Sequence, residues 1–170
     1  NDDDSAYLSR TPASDGNRRT WTISAWVKKS SIDQYGTLIC SRVAANNEGM
    51  TQIYLDQGGS KINFGGYSWA VNSIGLLRDA SAWYHVVCVL DTTQANALDR
   101  ATIYVNGVDV TDSNAPPDQN LEVAINRSQV QEIGRRNDNQ DRLLDGYLAE
   151  VNFVDGQALD PTDFGETKSG

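Results

Sequence analysis

Leu143-Leu-Asp-Gly-Tyr-Leu-Ala-Glu-Val-Asn-Phe-Val-Asp-Gly-Gln-Ala-Leu-Asp-Pro-Thr-Asp-Phe-Gly165 is the stretch on which the fold turns. In an extended chain Tyr147, Ala149, Val151 and Phe153 fall on one face, and Leu148, Glu150, Asn152 and Val154 on the other. That period of two predicts a strand over 146–154. Asp155-Gly156 is turn chemistry, since glycine adopts positive φ at no steric cost. Asp160 followed by Pro161 then predicts one helical turn, with the aspartate as cap and the proline in first position.

Working outward, the same grammar recurs. Trp83-Tyr-His-Val-Val-Cys-Val-Leu-Asp91 is a second strand, and Ile103-Tyr-Val-Asn-Gly-Val-Asp-Val110 is a hairpin on an Asn-Gly turn. In Trp21-Thr-Ile-Ser-Ala-Trp-Val27 the residues Trp21, Ile23, Ala25 and Val27 share a side. Further strands are expected at Tyr7-Leu8, Gly36–Ser41, Thr51–Leu55, Lys61–Phe64 and Glu132–Gly134, with Gly58-Gly59, Gly65-Gly66 and Pro116-Pro117 marking turns or loops between them. Residues 112–120 read as a surface loop. No long helix is expected. A strand signal every 10–15 residues predicts an all-β, two-sheet antiparallel jelly roll. Its expected core is Trp21, Ile23, Trp26, Trp83, Val87, Ile103, Val151 and Phe153.

The 170 residues fit one domain, spanning 1–170. A chain of this size buries roughly 70% of its extended surface, so it folds without staples. It holds no apolar run of the ~20 residues a membrane helix needs, so no membrane insertion is expected. The net charge of −9 and pI near 4.4 disfavour a nucleic-acid partner. The basic pairs Arg18-Arg19, Lys28-Lys29 and Arg135-Arg136 are too short to reverse that field and read as solvated surface. Cys40 and Cys88 lie in apolar strands, where buried free thiols are favoured over a disulfide.

The chemistry-bearing residues are few. The single histidine, His85, sits mid-strand without a Gly-x-Ser-x-Gly partner and reads as structural. Asn137-x-Asn139-x-Asp141 begins like a calcium loop, but Arg142 stands where glycine is required and Leu148 where the closing glutamate belongs. Sugars are held by aromatic faces with amide, carboxylate and guanidinium groups reading the hydroxyls. Tyr67 and Trp69, after the double glycine, are the candidate glycan-binding platform, with Gln52, Tyr54, Asn63 and Arg78 as polar partners. The competing reading has Tyr67 and Trp69 capping the core where the sheet curls. Trp21, Trp26 and Trp83 are assigned to the core. Asn126-Arg-Ser128 is a glycosylation triplet.

The words Trp21-Thr-Ile-Ser-Ala-Trp-Val-Lys28, Ala82-Trp-Tyr-His85, Tyr104-Val-Asn-Gly107 and Asp145-Gly-Tyr-Leu-Ala-Glu-Val151, in this order, resemble the concanavalin A-like jelly rolls of the laminin G and pentraxin type. The resemblance runs from about Tyr7 to Glu166. Ala82-Trp-Tyr-His85 and Asp155-Gly-Gln-Ala-Leu-Asp-Pro161 look most like the version in tail and other virion proteins of marine bacteriophages. That likeness implies a non-catalytic, extracellular module of a longer virion protein, several copies to a particle. It would adhere to a host surface glycan or hold tail or capsid parts together. Some concanavalin A-like jelly rolls are instead glycoside hydrolases, with a site resembling Glu-x-Asp-x-x-Glu. Here the match is Glu150-x-Asn152-x-x-Asp155, with two of three carboxylates altered. The resemblance also admits calcium as a cofactor, with Asp145, Asp15 and Asn17 as candidate ligands.

Overall fold

The computed structural model describes residues 6–42, 49–58, 61–75, 77–136 and 142–165. Among the described residues, twelve antiparallel strands form two sheets. They are β1 (Leu8–Arg10), β2 (Thr20–Lys29), β3 (Gly36–Ser41), β4 (Thr51–Leu55), β5 (Ile62–Gly66), β6 (Ala70–Ser73), β7 (Tyr84–Asp91), β8 (Ala101–Val105), β9 (Val108–Asp109), β10 (Thr111–Ala115), β11 (Gln131–Ile133) and β12 (Gly146–Asp155). One sheet has the order β1-β11-β3-β4-β5-β6-β10 and the other β12-β2-β7-β8-β9. This is the expected jelly-roll sandwich. The only helices among the described residues are two single 3₁₀ turns, Ala97–Asp99 and Pro161–Asp163. Asp160 caps the second in a reciprocal capping box with Asp163, and Pro161 opens it. The Asn106-Gly107 hairpin has both residues at positive φ, 50° and 81°, which matches the twist of the strands it joins.

The two inner faces meet through Trp21, Ile23, Ala25, Val27, Val86, Cys88, Leu90 and Ile103 on one side and Ile39, Ile53, Phe64 and Val71 on the other. Trp21 is fully buried and bridges the layers, with its ring 5.5 Å from Phe64 and 5.5 Å from Phe153. Both cysteines are buried and no disulfide joins them, as expected.

Four core assignments are corrected. Trp26 is 38% exposed, Trp83 42% and Phe153 37%, and Val151 is only half-buried. Trp26 pairs with His85 on the row between the inward pairs Ala25–Val86 and Val27–Tyr84, so both side chains point out of the sandwich. The period of β12 also breaks. Glu150 has φ +49°, and the register with β2 slips between Ala149 and Asn152. The extra residue of this bulge resets the alternation. Leu148 and Val151 therefore both line the core, three positions apart, while Tyr147 is 61% exposed. Two strands were not expected. β6 and the polar β10 pair with each other at the edge of the seven-stranded sheet, where a loop had been anticipated over 112–120.

The basic pairs are not simply solvated. Arg18 and Arg19 both reach Glu122, at 3.0 and 2.8 Å, and Lys29 is buried with Nζ donating to the Gln34 carbonyl. Arg135 holds the buried Glu132 at 2.6 Å and lies over the Tyr7 ring.

Candidate functional site

Sheet register decides which sequence candidates share a surface. On the seven-stranded sheet the row Ile39–Ile53–Phe64–Val71 faces inward. The rows beside it therefore face outward. One is Thr37–Tyr54–Asn63–Asn72–Asp112, and the other is Cys40–Gln52–Gly65–Ala70. Gln52, Tyr54 and Asn63 are thus brought together: Tyr54 and Asn63 are direct cross-strand partners, and Gln52 lies two residues along β4 from Tyr54. Gly65 and Ala70 form the low floor of the second row. A Cβ on Gly65 would come within 2.6 Å of the Trp69 carbonyl oxygen and 2.9 Å of Ala70, so glycine is required there.

Two residues that the sequence reading missed complete this face. The Arg142 guanidinium lies 4.4 Å from the Tyr35 ring centroid and 4.6 Å from that of Tyr54, and the two rings stand 6.1 Å apart. A cation over two aromatic faces fixes all three side chains. Backbone pairing anchors the segment, since the Thr37 amide donates to the Arg142 carbonyl at 3.2 Å. Gln52 Oε1, Asn72 Oδ1 and Thr37 Oγ1 are shielded and have no hydrogen-bond partner. Leaving such a group unpaired costs about 1–3 kcal/mol, which a buried water reaching it would recover. Asn72 was detectable in principle through its pairing with Asn63, but only once β6 is recognised as a strand. Nothing local connects Arg142 to Tyr35.

The other glycan candidates do not join them. β5 ends at Gly66, so Tyr67 and Trp69 lie in a turn, where alternation does not apply. Tyr67 is 68% exposed, whereas Trp69 is buried and meets Phe64 edge-on at 5.1 Å. Trp69 is the core cap of the alternative reading, and its face is not open to a sugar. Arg78 is exposed in the β6–β7 connection.

The calcium set is split. Asp145 precedes β12 and Asp155 ends it. The Asp155 end meets the loop holding Asp15 and Asn17, so the ten residues of β12, roughly 33 Å if fully extended, separate Asp145 from that loop. Asp15 Oδ1 accepts from the Ser128 amide at 2.6 Å, and that bond foremost lowers its pKa. Asn17 Oδ1 accepts from the amides of Arg19 and Thr20, and its own amide donates to Asp155 Oδ1. Among the described residues no three His, Cys, Asp or Glu side chains are grouped to hold a metal ion. Asn137, Asn139 and Asp141 lie outside the described residues.

Glu150 and Asp155 do not form a catalytic pair. Five residues of β12 separate them, about 17 Å, against the ~5 Å of a retaining glycosidase. Asn152 Nδ2 donates back to the Glu150 carbonyl, and Asp155 is spent on Asn17 and Asn126. His85 is buried, bonded through Nε2 to Ser24 Oγ at 2.8 Å and stacked on Trp26 at 5.0 Å.

The profile described as the concanavalin A-like lectin/glucanases superfamily matches residues 2–163. Among solved structures, the heptameric SAP-like pentraxin of Limulus polyphemus superposes with a TM-score of 0.59 at 18% identity, covering 90% of this chain and 70% of its own. Domains LG4-5 of the mouse laminin α1 chain give 0.62 at 14% identity, over 91% of this chain and 42% of theirs. The CBM40 domain of the Ruminococcus gnavus IT-sialidase, bound to α2,3-sialyllactose, gives 0.59 at 13% identity, over 92% and 95%. At these identities the likeness is one of fold. No curated protein matches the sequence.

Proposed function

The chain belongs to the concanavalin A-like lectin/glucanase superfamily, and we propose that it is a non-catalytic carbohydrate-binding module whose ligand lies on the outer face of the seven-stranded sheet. The observation that carries this reading is the convergence of Gln52, Tyr54 and Asn63 on one surface beside the Arg142 clamp. Tyr54 offers an aromatic face, the amides read hydroxyls, and Arg142 with Tyr35 holds the ring in place before the sugar arrives. A neighbour of the same fold was solved with sialyllactose, which supports the ligand class. The likeness of Ala82-Trp-Tyr-His85 and Asp155-Gly-Gln-Ala-Leu-Asp-Pro161 to virion proteins of marine phages supports the setting. There the domain, residues 1–170, is one module of a longer surface protein that adheres to a host glycan.

A glycan array probed with the isolated domain tests this. Binding to at least one glycan class is expected, with loss of about tenfold or more on Tyr54→Ala. Trp69→Ala would unfold the domain rather than report on the site. An array with no bound sugar, while the domain occupies a contact between proteins in intact particles, would overturn adhesion in favour of assembly. Release of reducing ends from a polysaccharide would overturn the non-catalytic reading.

A further inference from the structure

The outer face of the five-stranded sheet is covered only in part. Residues 156–165 cross it as a strap, which is tied down where Thr22 Oγ1 donates to the Gln157 carbonyl and accepts from the Leu159 amide, both at 2.9 Å. Under this cover Thr22 and Val87 are fully buried although their strands point them outward. Between strap and sheet a cleft of about 740 Å³ remains, within the ~300–1,000 Å³ range of small-molecule sites. Trp26, His85 and Tyr104 line it from the sheet, Asn106 from the hairpin, and Asp160 and Phe164 from the strap.

We propose that this cleft is a sugar-binding site in its own right, taking a neutral pyranose ring against the exposed face of Trp26. It lies on the opposite sheet from the Tyr54 surface and does not rest on that reading. Three features support it. The Trp26 indole is 38% exposed, yet its position is set from behind by the stacked His85 ring, which Ser24 pins in turn. An aromatic plane fixed in advance loses little freedom when a ring settles on it. The polar groups around it are also held: Asn106 Oδ1 accepts from the His85 amide at 2.9 Å, and Asp160 Oδ1 from the Thr162 amide at 2.8 Å. Finally, the Asp160 carboxylate and the chain's net charge of −9 disfavour an anionic occupant. Rings flanked by carboxylate, amide and imidazole suit a neutral polyhydroxylated ligand better than a purely apolar one. The aromatic surface continues outside the cleft. Trp83 and Tyr147, 42% and 61% exposed with rings 6.4 Å apart, flank Lys28, one strand repeat or about 7 Å from Trp26.

The four tryptophan indole N–H resonances of the ¹⁵N-labelled domain test this during titration with laminarihexaose, cellohexaose and maltohexaose. The Trp26 resonance is expected to move saturably with at least one of them, while the buried Trp21 and Trp69 resonances stay put and report an intact core. Trp26→Ala should weaken that binding about tenfold or more, and Trp26→Phe by less, with Tyr54→Ala having no effect on it. A Trp26 resonance unmoved by millimolar amounts of all three sugars would overturn the proposal, as would a Trp26→Ala domain that binds like the wild type. If the resonance moves with protein concentration in the absence of sugar, a second copy covers this face and the proposal fails. Because Tyr54→Ala and Trp26→Ala act on opposite faces, loss of one site leaves the other readable.

Discussion

Replacing Asn126 by alanine should destabilise the domain more than its half-buried position suggests. Its Nδ2 donates to the Asn17 carbonyl at 2.9 Å and to Asp155 Oδ1 at 2.7 Å, joining three segments distant in sequence. Each bond is solvent-accessible, so each contributes at the low end, about 0.5–1 kcal/mol. Asn126 also sits at φ +68°, a region asparagine tolerates and alanine does not, at about 1 kcal/mol. Together the loss is about 2–3 kcal/mol, a fall in melting midpoint of roughly 4–12 °C for a domain of this size. Urea unfolding of Asn126→Ala, Asp155→Ala and the double variant separates the bond from the backbone strain. The carboxylate–amide bond predicts a coupling of about 1 kcal/mol, whereas independent sites add within about 0.3–0.5 kcal/mol. An additive cycle, or a single variant costing under ~0.5 kcal/mol, would refute the clasp. The same geometry predicts that the Asn126-Arg-Ser128 triplet is a poor glycosylation acceptor in the folded domain, since the reacting nitrogen already spends both hydrogens.

Two more outcomes follow from the buried groups. Burial lowers the His85 pKa, with Glu150 acting in the opposite direction; a depressed pKa contributes stability that is present above the unfolded value near 6.5 and lost as pH falls below it. The melting midpoint should therefore drop between pH 8 and 5.5, and His85→Gln should flatten that slope, because no other histidine is present; equal slopes would show that His85 titrates freely. For the thiols, Cys40 and Cys88 are wholly buried and desolvation pushes the Cys88 pKa up, so a thiol reagent should find neither in the native protein and both in urea. Rapid labelling of the folded domain would contradict that burial.

The legible parts of the sequence were those whose physics is local. Asn106-Gly107 dictates a hairpin because its residues accept positive φ, and Asp160-Pro161 dictates a cap because one side chain satisfies amides two and three residues on. The missed parts depend on partners. β10, Thr111–Ala115, carries no apolar pattern and is a strand only because the edge of β6 is open to it. The bulge at Glu150 leaves no mark in composition, yet it moves Val151 to the Leu148 side and puts Tyr147 outside. Arg142 reaches Tyr35 and Tyr54 only once β3 and β4 are paired. Of the candidate glycan residues, Gln52, Tyr54 and Asn63 were brought together by strand parity, whereas Trp69 was lost to a turn.

Trp26 is a different case, because the sequence did carry its position. If Trp21, Ile23, Ala25 and Val27 face the core, strict alternation sends Trp26 the other way, and only its place in a strand that resembles the family's packing strands argued for burying it. The same parity places Val87 outside, yet Val87 is fully buried. The strap accounts for both. Where residues 156–165 cross β2 and β7, outward positions are buried as in an inner layer, and apolar side chains are stable there. Where the cover gives way to the cleft, a large aromatic keeps one face packed on His85 and the other in water. An outward-pointing Trp on a sheet whose neighbours Thr22 and Val87 are shielded marks the margin of a third layer, and that margin is where a concave aromatic surface forms. Removing the strap by truncation after Asp155 should therefore expose Val87 along with Trp26. It should destabilise the domain, whereas Trp26→Ala alone removes a half-exposed ring and leaves the sandwich standing.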